Sequence, residues 1–120
     1  MKALLAALAA LLLTAPAAAQ EAPAQAAMDL WCGLAFVSIA ADLPGDARPE
    51  HLDIARAYGE GGAALVAAAK APHLASGFTE QSFAAHVEAL RGAVRIAVND
   101  PAAVSPFSFE ECRALLARTP

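Results

Sequence analysis

Apolar residues recur along most of this chain at spacings of three and four, the period of a helix with one buried face. The first such segment runs from about Ala26 to Leu43, with Met28, Cys32, Ala35, Phe36, Ile39 and Leu43 on one face. Leu30, Leu34 and Val37 lie off that face, so the helix is apolar nearly all round. Such a helix belongs in the middle of a domain or at an oligomer contact. Residues 20–26 read as a frayed lead-in, and Pro44-Gly45-Asp46 ends the segment.

Pro49 suits the first turn of a second helix, with Glu50 and Asp53 near its positive end. Leu52, Ile54, Ala55, Tyr58, Leu65, Val66 and Ala69 are its apolar positions. Gly59, Gly61 and Gly62 interrupt it, and each costs about 1 kcal/mol against alanine in a helix interior. Either the helix kinks or breaks there, or Ala55, Gly59, Gly62 and Ala63 form a flat seam for close packing. The alanine-rich flanks favour one continuous helix, followed by a connection from Pro72 to Gly77.

Thr79 reads as the N-cap of a third helix, with Glu80 in its first turn. Phe83, Val87, Leu90, Val94 and then Ala97 or Val98 form the cleanest amphipathic stripe, while Glu88, Arg91 and Arg95 lie on other faces. Asn99-Asp100-Pro101 closes it, and the chain runs extended to Phe107. Ser108-Phe109-Glu110-Glu111 then matches a capping box, with Phe107 and Cys112 placed to pack as a hydrophobic staple. The last helix, 109–118, is expected to bury Phe109, Cys112, Leu115 and Leu116. No segment alternates like a strand, and no repeat is present. The expected fold is therefore all-α: a small up-down bundle of three to four helices in a single domain.

The N-terminus changes the compartment. Met1-Lys2 gives a short positive start, Ala3 to Leu13 is an unbroken Ala/Leu run, Pro16 interrupts it, and Ala17-Ala18-Ala19 supplies small residues for cleavage. This pattern predicts a signal peptide over 1–19 and a mature domain over 20–120, periplasmic or secreted. The apolar run is shorter than the roughly 20 residues a span needs, so no membrane contact is expected after cleavage. Losing Lys2 leaves seven Lys and Arg against twelve Asp and Glu, a net charge of about −5. Without a basic stripe, nucleic acid is not an expected partner.

Export also changes the reading of Cys32 and Cys112, the only two cysteines. Each lies on the apolar face of its helix, and oxidising compartments preserve such pairs. They are expected to form one intramolecular disulfide joining the first and last helices. Trp31 is expected to be a core anchor packed on it.

Candidate chemistry is sparse. The chain has no nucleophile elbow, no phosphate-binding glycine loop, no H-E-x-x-H and no C-x-x-C. No enzyme activity and no catalytic, cofactor-binding or metal-ligating residue is expected. His51-x-Asp53 and His86-x-Glu88 place potential ligands two apart, and such residues do not share a helix face. A metal site would need two helices to pool ligands, so His51, His73 and His86 are read as solvated or structurally satisfied. Arg91 and Arg95, one turn apart and near Glu88, read as a solvated charged face.

In layout, with Trp31-Cys32 near the start and a second cysteine at Cys112, the chain resembles the small periplasmic acid-stress chaperones, which are exported helical proteins with one disulfide. It departs from them in being Arg-rich and in the wide separation of its cysteines, so the resemblance extends to layout and not to a motif. Two functional classes follow. One is a non-enzymatic interaction or accessory protein of the cell envelope, chaperone- or inhibitor-like, meeting a protein partner or itself through apolar helix surface. The other is a helical module that binds a small ligand or a metal. An enclosed cavity lined by Trp31, Phe36, Tyr58 and Phe83 would favour the second, and a solid core with an exposed apolar patch the first.

Overall fold

Alanine-rich stretches, punctuated by proline, glycine and hydroxyl caps, form four α-helices: α1 (Ala24–Ala41), α2 (Pro49–Ala75), α3 (Glu80–Asn99) and α4 (Phe109–Arg118). The computed structural model describes residues 22–119. The expected leader, 1–19, lies outside the described residues. The helices form an up-down bundle in which a disulfide between Cys32 of α1 and Cys112 of α4 joins the first element to the last, with Cα atoms 5.1 Å apart.

The bundle is organised around α1. This helix packs along α2 and also touches α3 and α4; α2 touches α3 and α4 as well, but α3 and α4 do not meet. Its all-round apolar sequence is that of a hub. By length and composition α1 could cross a membrane, and its neighbours in the bundle account for the same composition. Burial does not follow the face expected from sequence. Leu30 and Leu34 are buried beside Trp31, Cys32 and Phe36, whereas Met28, Ala35 and Ile39 are half-buried. A helix with three neighbours has no single inner face. The lead-in is also shorter than expected: Pro23 is the N-cap, and Ala26 is already buried in the first turns.

The glycine run of α2 does not break the helix. Gly62 lies against Gly33 of α1 so closely that a Cβ on either would sit 2.7 Å from the carbonyl oxygen of the other. Gly61 faces the other way, where a Cβ would collide with Leu116 of α4. The two glycines thus bring two helices onto α2. The seam is narrower than expected, because Ala63 is exposed and Ala55 only half-buried.

The expected connection at 72–77 is mostly helix. α2 runs through Pro72 to Ala75. Proline is costly inside a helix, but buried Ala69, His73 and Phe78 hold this last turn in the core. Beyond the C-cap Ser76, Gly77 turns the chain with φ at +114°. The Phe78 amide donates to His73 O at 3.1 Å and the Gly77 amide to Leu74 O at 3.2 Å, a Schellman ending that folds Phe78 back against His73. Next, Thr79 caps α3 as expected, exchanging bonds with Ser82 at 2.9 and 3.0 Å.

Candidate functional site

Because α3 and α4 do not meet, the seam between them stays open. The nine residues that connect the helices, 100–108, run along its edge. The Asp100 carboxylate accepts from the Ala102 amide at 3.0 Å, turning the chain at Pro101. The Ser105 hydroxyl donates to Phe107 O at 2.7 Å. The capping box is formed as expected: the Ser108 amide donates to the Glu111 carboxylate at 2.7 Å, and the Glu111 amide to the Ser108 hydroxyl at 3.1 Å.

These bonds fix one wall of a half-open apolar cleft of about 360 Å³. α1 contributes Trp31, Ala35, Phe36 and Ile39 to it, and the end of α3 contributes Ala97 and Val98. The connector and α4 supply Ser105, Phe107, Ser108, Phe109 and Cys112. Trp31 is buried and shares this wall with Cys112 of the disulfide. The hydroxyls of Ser105 and Ser108 hold backbone, so apolar contact is what the cleft has to offer.

Phe109 departs from expectation. Instead of being buried with Cys112 and Leu115 it is 52% exposed. Its ring lies 6.2 Å from that of Phe36, and the Arg113 guanidinium sits 5.9 Å from its centroid. Val104 on the connector is 94% exposed. The arrangement that would favour a ligand-binding module, Trp31, Phe36, Tyr58 and Phe83 around one enclosed cavity, is not formed. Trp31 and Phe36 share the cleft, but Tyr58 lines a groove with Ile54, Arg113 and Leu116, and Phe83 lines another beside Val66 and Val87.

A second cluster lies at the opposite end of α3. His73, the most deeply buried polar side chain described, sits with its ring centroid 5.1 Å from those of Phe78 and Phe83 and 5.8 Å from that of His86. Its Nδ1 is 2.6 Å from Ala69 O, and its Nε2 has no hydrogen-bond partner. Burial, and then the neighbouring His73, hold the His86 imidazole below the ordinary histidine range. His51 is exposed at the start of α2. Among the described residues no three His, Cys, Asp or Glu side chains gather as a metal site would require. Periodicity gives no sign of the His73–His86 pair, because it depends on how the α2–α3 turn folds.

Arg91 pairs with Glu88 at 3.4 Å, both exposed, and Lys70 with Glu80 at 2.7 Å across α2 and α3. No family model, curated protein or solved structure matches the chain.

Proposed function

We propose that this is an exported, non-enzymatic interaction protein of the cell envelope, and that its cleft receives an apolar group presented by a partner protein. The observation that carries the reading is the open α3–α4 seam with Phe109 half exposed at its side. Large apolar side chains left in water beside an apolar hollow are characteristic of docking surfaces. Export draws its support from the leader-like 1–19 and from the disulfide, a bond that persists in oxidising compartments.

The test compares proteins retained from the periplasm by the mature chain, by Phe109→Asp and by Ala35→Phe, which fills the cleft. A partner held by the wild type and lost with both variants is expected. Identical retained sets would remove the cleft from the reading. Intact mass of the exported species should correspond to cleavage after Ala19, and a membrane-embedded chain that still begins at Met1 would count against export.

A small apolar ligand is the second reading, favoured by the cleft's volume, which lies within the roughly 300 to 1,000 Å³ of small-molecule sites. Native mass spectrometry of protein purified from its own cells distinguishes the two. A bound small molecule that denaturation releases, absent from Ala35→Phe, would select this second reading.

A further inference from the structure

We propose that the α3–α4 seam takes one amphipathic helix with a basic flank, laid along α1 as a fifth member of the bundle. This rests on the reading of the cleft as a docking site and specifies what docks there. The floor of the seam and one of its walls carry apolar tracks of equal length. On α1, Trp31, Ala35 and Ile39 line the cleft at intervals of one helical turn. On α3, Ala97 lines it, and Ala93 and Ala89, one and two turns earlier on the same stripe, are exposed. Two turns of helix rise about 11 Å, the length over which a docked helix presents anchors at i, i+3 or i+4, and i+7. The small side chains of α3 keep that wall low, so a helix backbone can come close.

The lining also selects the secondary structure of the occupant. Its two hydroxyls are spent on backbone, Ser105 donating to Phe107 O and Ser108 accepting from the Glu111 amide. An extended peptide would bury N–H and C=O groups here without partners, whereas a helix arrives with its backbone bonds already made.

Charge selects the flank. Asp100 lies two residues beyond Val98, and Glu110 and Glu111 follow Phe109, so three exposed carboxylates border the lining residues. Asp100 and Glu111 accept from neutral backbone amides, which leaves their charge in place. The sequence has no cation from Asp100 to Cys112, and the next residue, Arg113, sits over the Phe109 ring at 5.9 Å. A basic flank meets complementary charge at this rim, and an acidic one is repelled. The same sign disfavours a second copy of this chain, since the mature protein carries about −5 and would bring its own carboxylates to the seam.

Trp31, the only tryptophan, lines the cleft and reports its occupancy by fluorescence. The probes are three synthetic peptides long enough to form a helix. One is built of Leu and Lys with Leu at helical spacing, the second is its scrambled form, and the third replaces Lys by Glu in the first pattern. The patterned Leu/Lys peptide is expected to bind one per chain, shift the Trp31 emission and bind at least about tenfold more tightly than either of the others. Glu110→Lys should weaken the Leu/Lys peptide and strengthen the Leu/Glu one, a reversal that a merely structural role for Glu110 does not produce. Ala35→Phe, which fills the cleft, should abolish binding; Glu110→Lys, at an exposed position, keeps the test decisive should that variant not fold. Equal binding of the patterned Leu/Lys and Leu/Glu peptides, both lost in Ala35→Phe, would overturn the basic flank and leave the cleft as a docking site. A scrambled peptide that binds as tightly as the patterned one, binding undiminished in Ala35→Phe, or no binding at all would overturn the helix as occupant. The periplasmic comparison of Phe109→Asp and Ala35→Phe decides separately whether the cleft docks a partner.

Discussion

At Gly33 and Gly62 the backbones of α1 and α2 come together with no side chain between them. A methyl group at Gly62 would meet the Gly33 carbonyl at 2.7 Å and the Cβ of Phe36 at 3.0 Å, so the helices would have to part. Gly62→Ala should therefore lower stability by roughly 1 to 3 kcal/mol, as overpacking does, although alanine is the better helix former. Gly92, in exposed α3, has open space for at least 4 Å around the point a methyl would occupy, and Gly92→Ala should raise stability by up to about 1 kcal/mol. Denaturant melts of the two variants check the opposite signs; a stabilised Gly62→Ala would mean that the helices cross elsewhere. The sequence marks Gly62 as a candidate for close packing but does not reveal Gly33 as its partner. That pairing depends on the rotation of α1 about its own axis, which an all-round apolar helix leaves undetermined. His73 is obscured for a different reason. Pro72 beside it suggests a loop, and a histidine in a loop is ordinarily wet, whereas this one is sealed by Phe78 and Phe83.

The elements with explicit caps are the most legible. Thr79 and Ser108 each announce a helix with a hydroxyl, and both helices begin one residue later. α4 is only ten residues long, and helices of that length are marginal on their own. Its start should accordingly respond to its cap: Ser108→Ala is expected to cost about 1 kcal/mol, read as a lower thermal midpoint. An unchanged midpoint would show that the Ser108–Glu111 exchange contributes nothing in solution. The end of α2 is hidden from the sequence because a proline rule based on isolated helices gives way to core packing around Ala69 and His73. The face of α4 is hidden because a periodic stripe identifies which residues line up, not whether a neighbour covers them. Phe109 lines up with Cys112 and still looks out, since α3 does not close on that side.

For the whole molecule, the up-down order and the first-to-last disulfide are legible in the sequence, whereas the open seam is not, since it is the lack of one contact among several. The disulfide closes a loop with a sequence separation of 80. The chain-entropy model assigns such a loop roughly 4 to 5 kcal/mol, a large part of the about 5 to 15 kcal/mol a domain usually holds. Cys32→Ala combined with Cys112→Ala should lose most of that in equilibrium unfolding; an unchanged denaturant midpoint would show that the bond is not a staple. The seam also bears on the order in which the molecule comes apart. α1, α2 and α3 follow one another through short connections and are neighbours in space, so they constitute a unit that local hairpins can assemble. α4 arrives across a longer connector, leans on α1 and α2 alone, and is tethered at Cys112. It is the natural candidate for a separate, weaker cooperative unit that detaches and returns many times for each global unfolding event. In hydrogen exchange, the amides of Leu115 and Leu116 should accordingly exchange well before those of Leu34 and Leu65. Because the disulfide keeps the detached helix within reach, each excursion is brief, and during it the cleft loses its α4 wall and lies open to solvent.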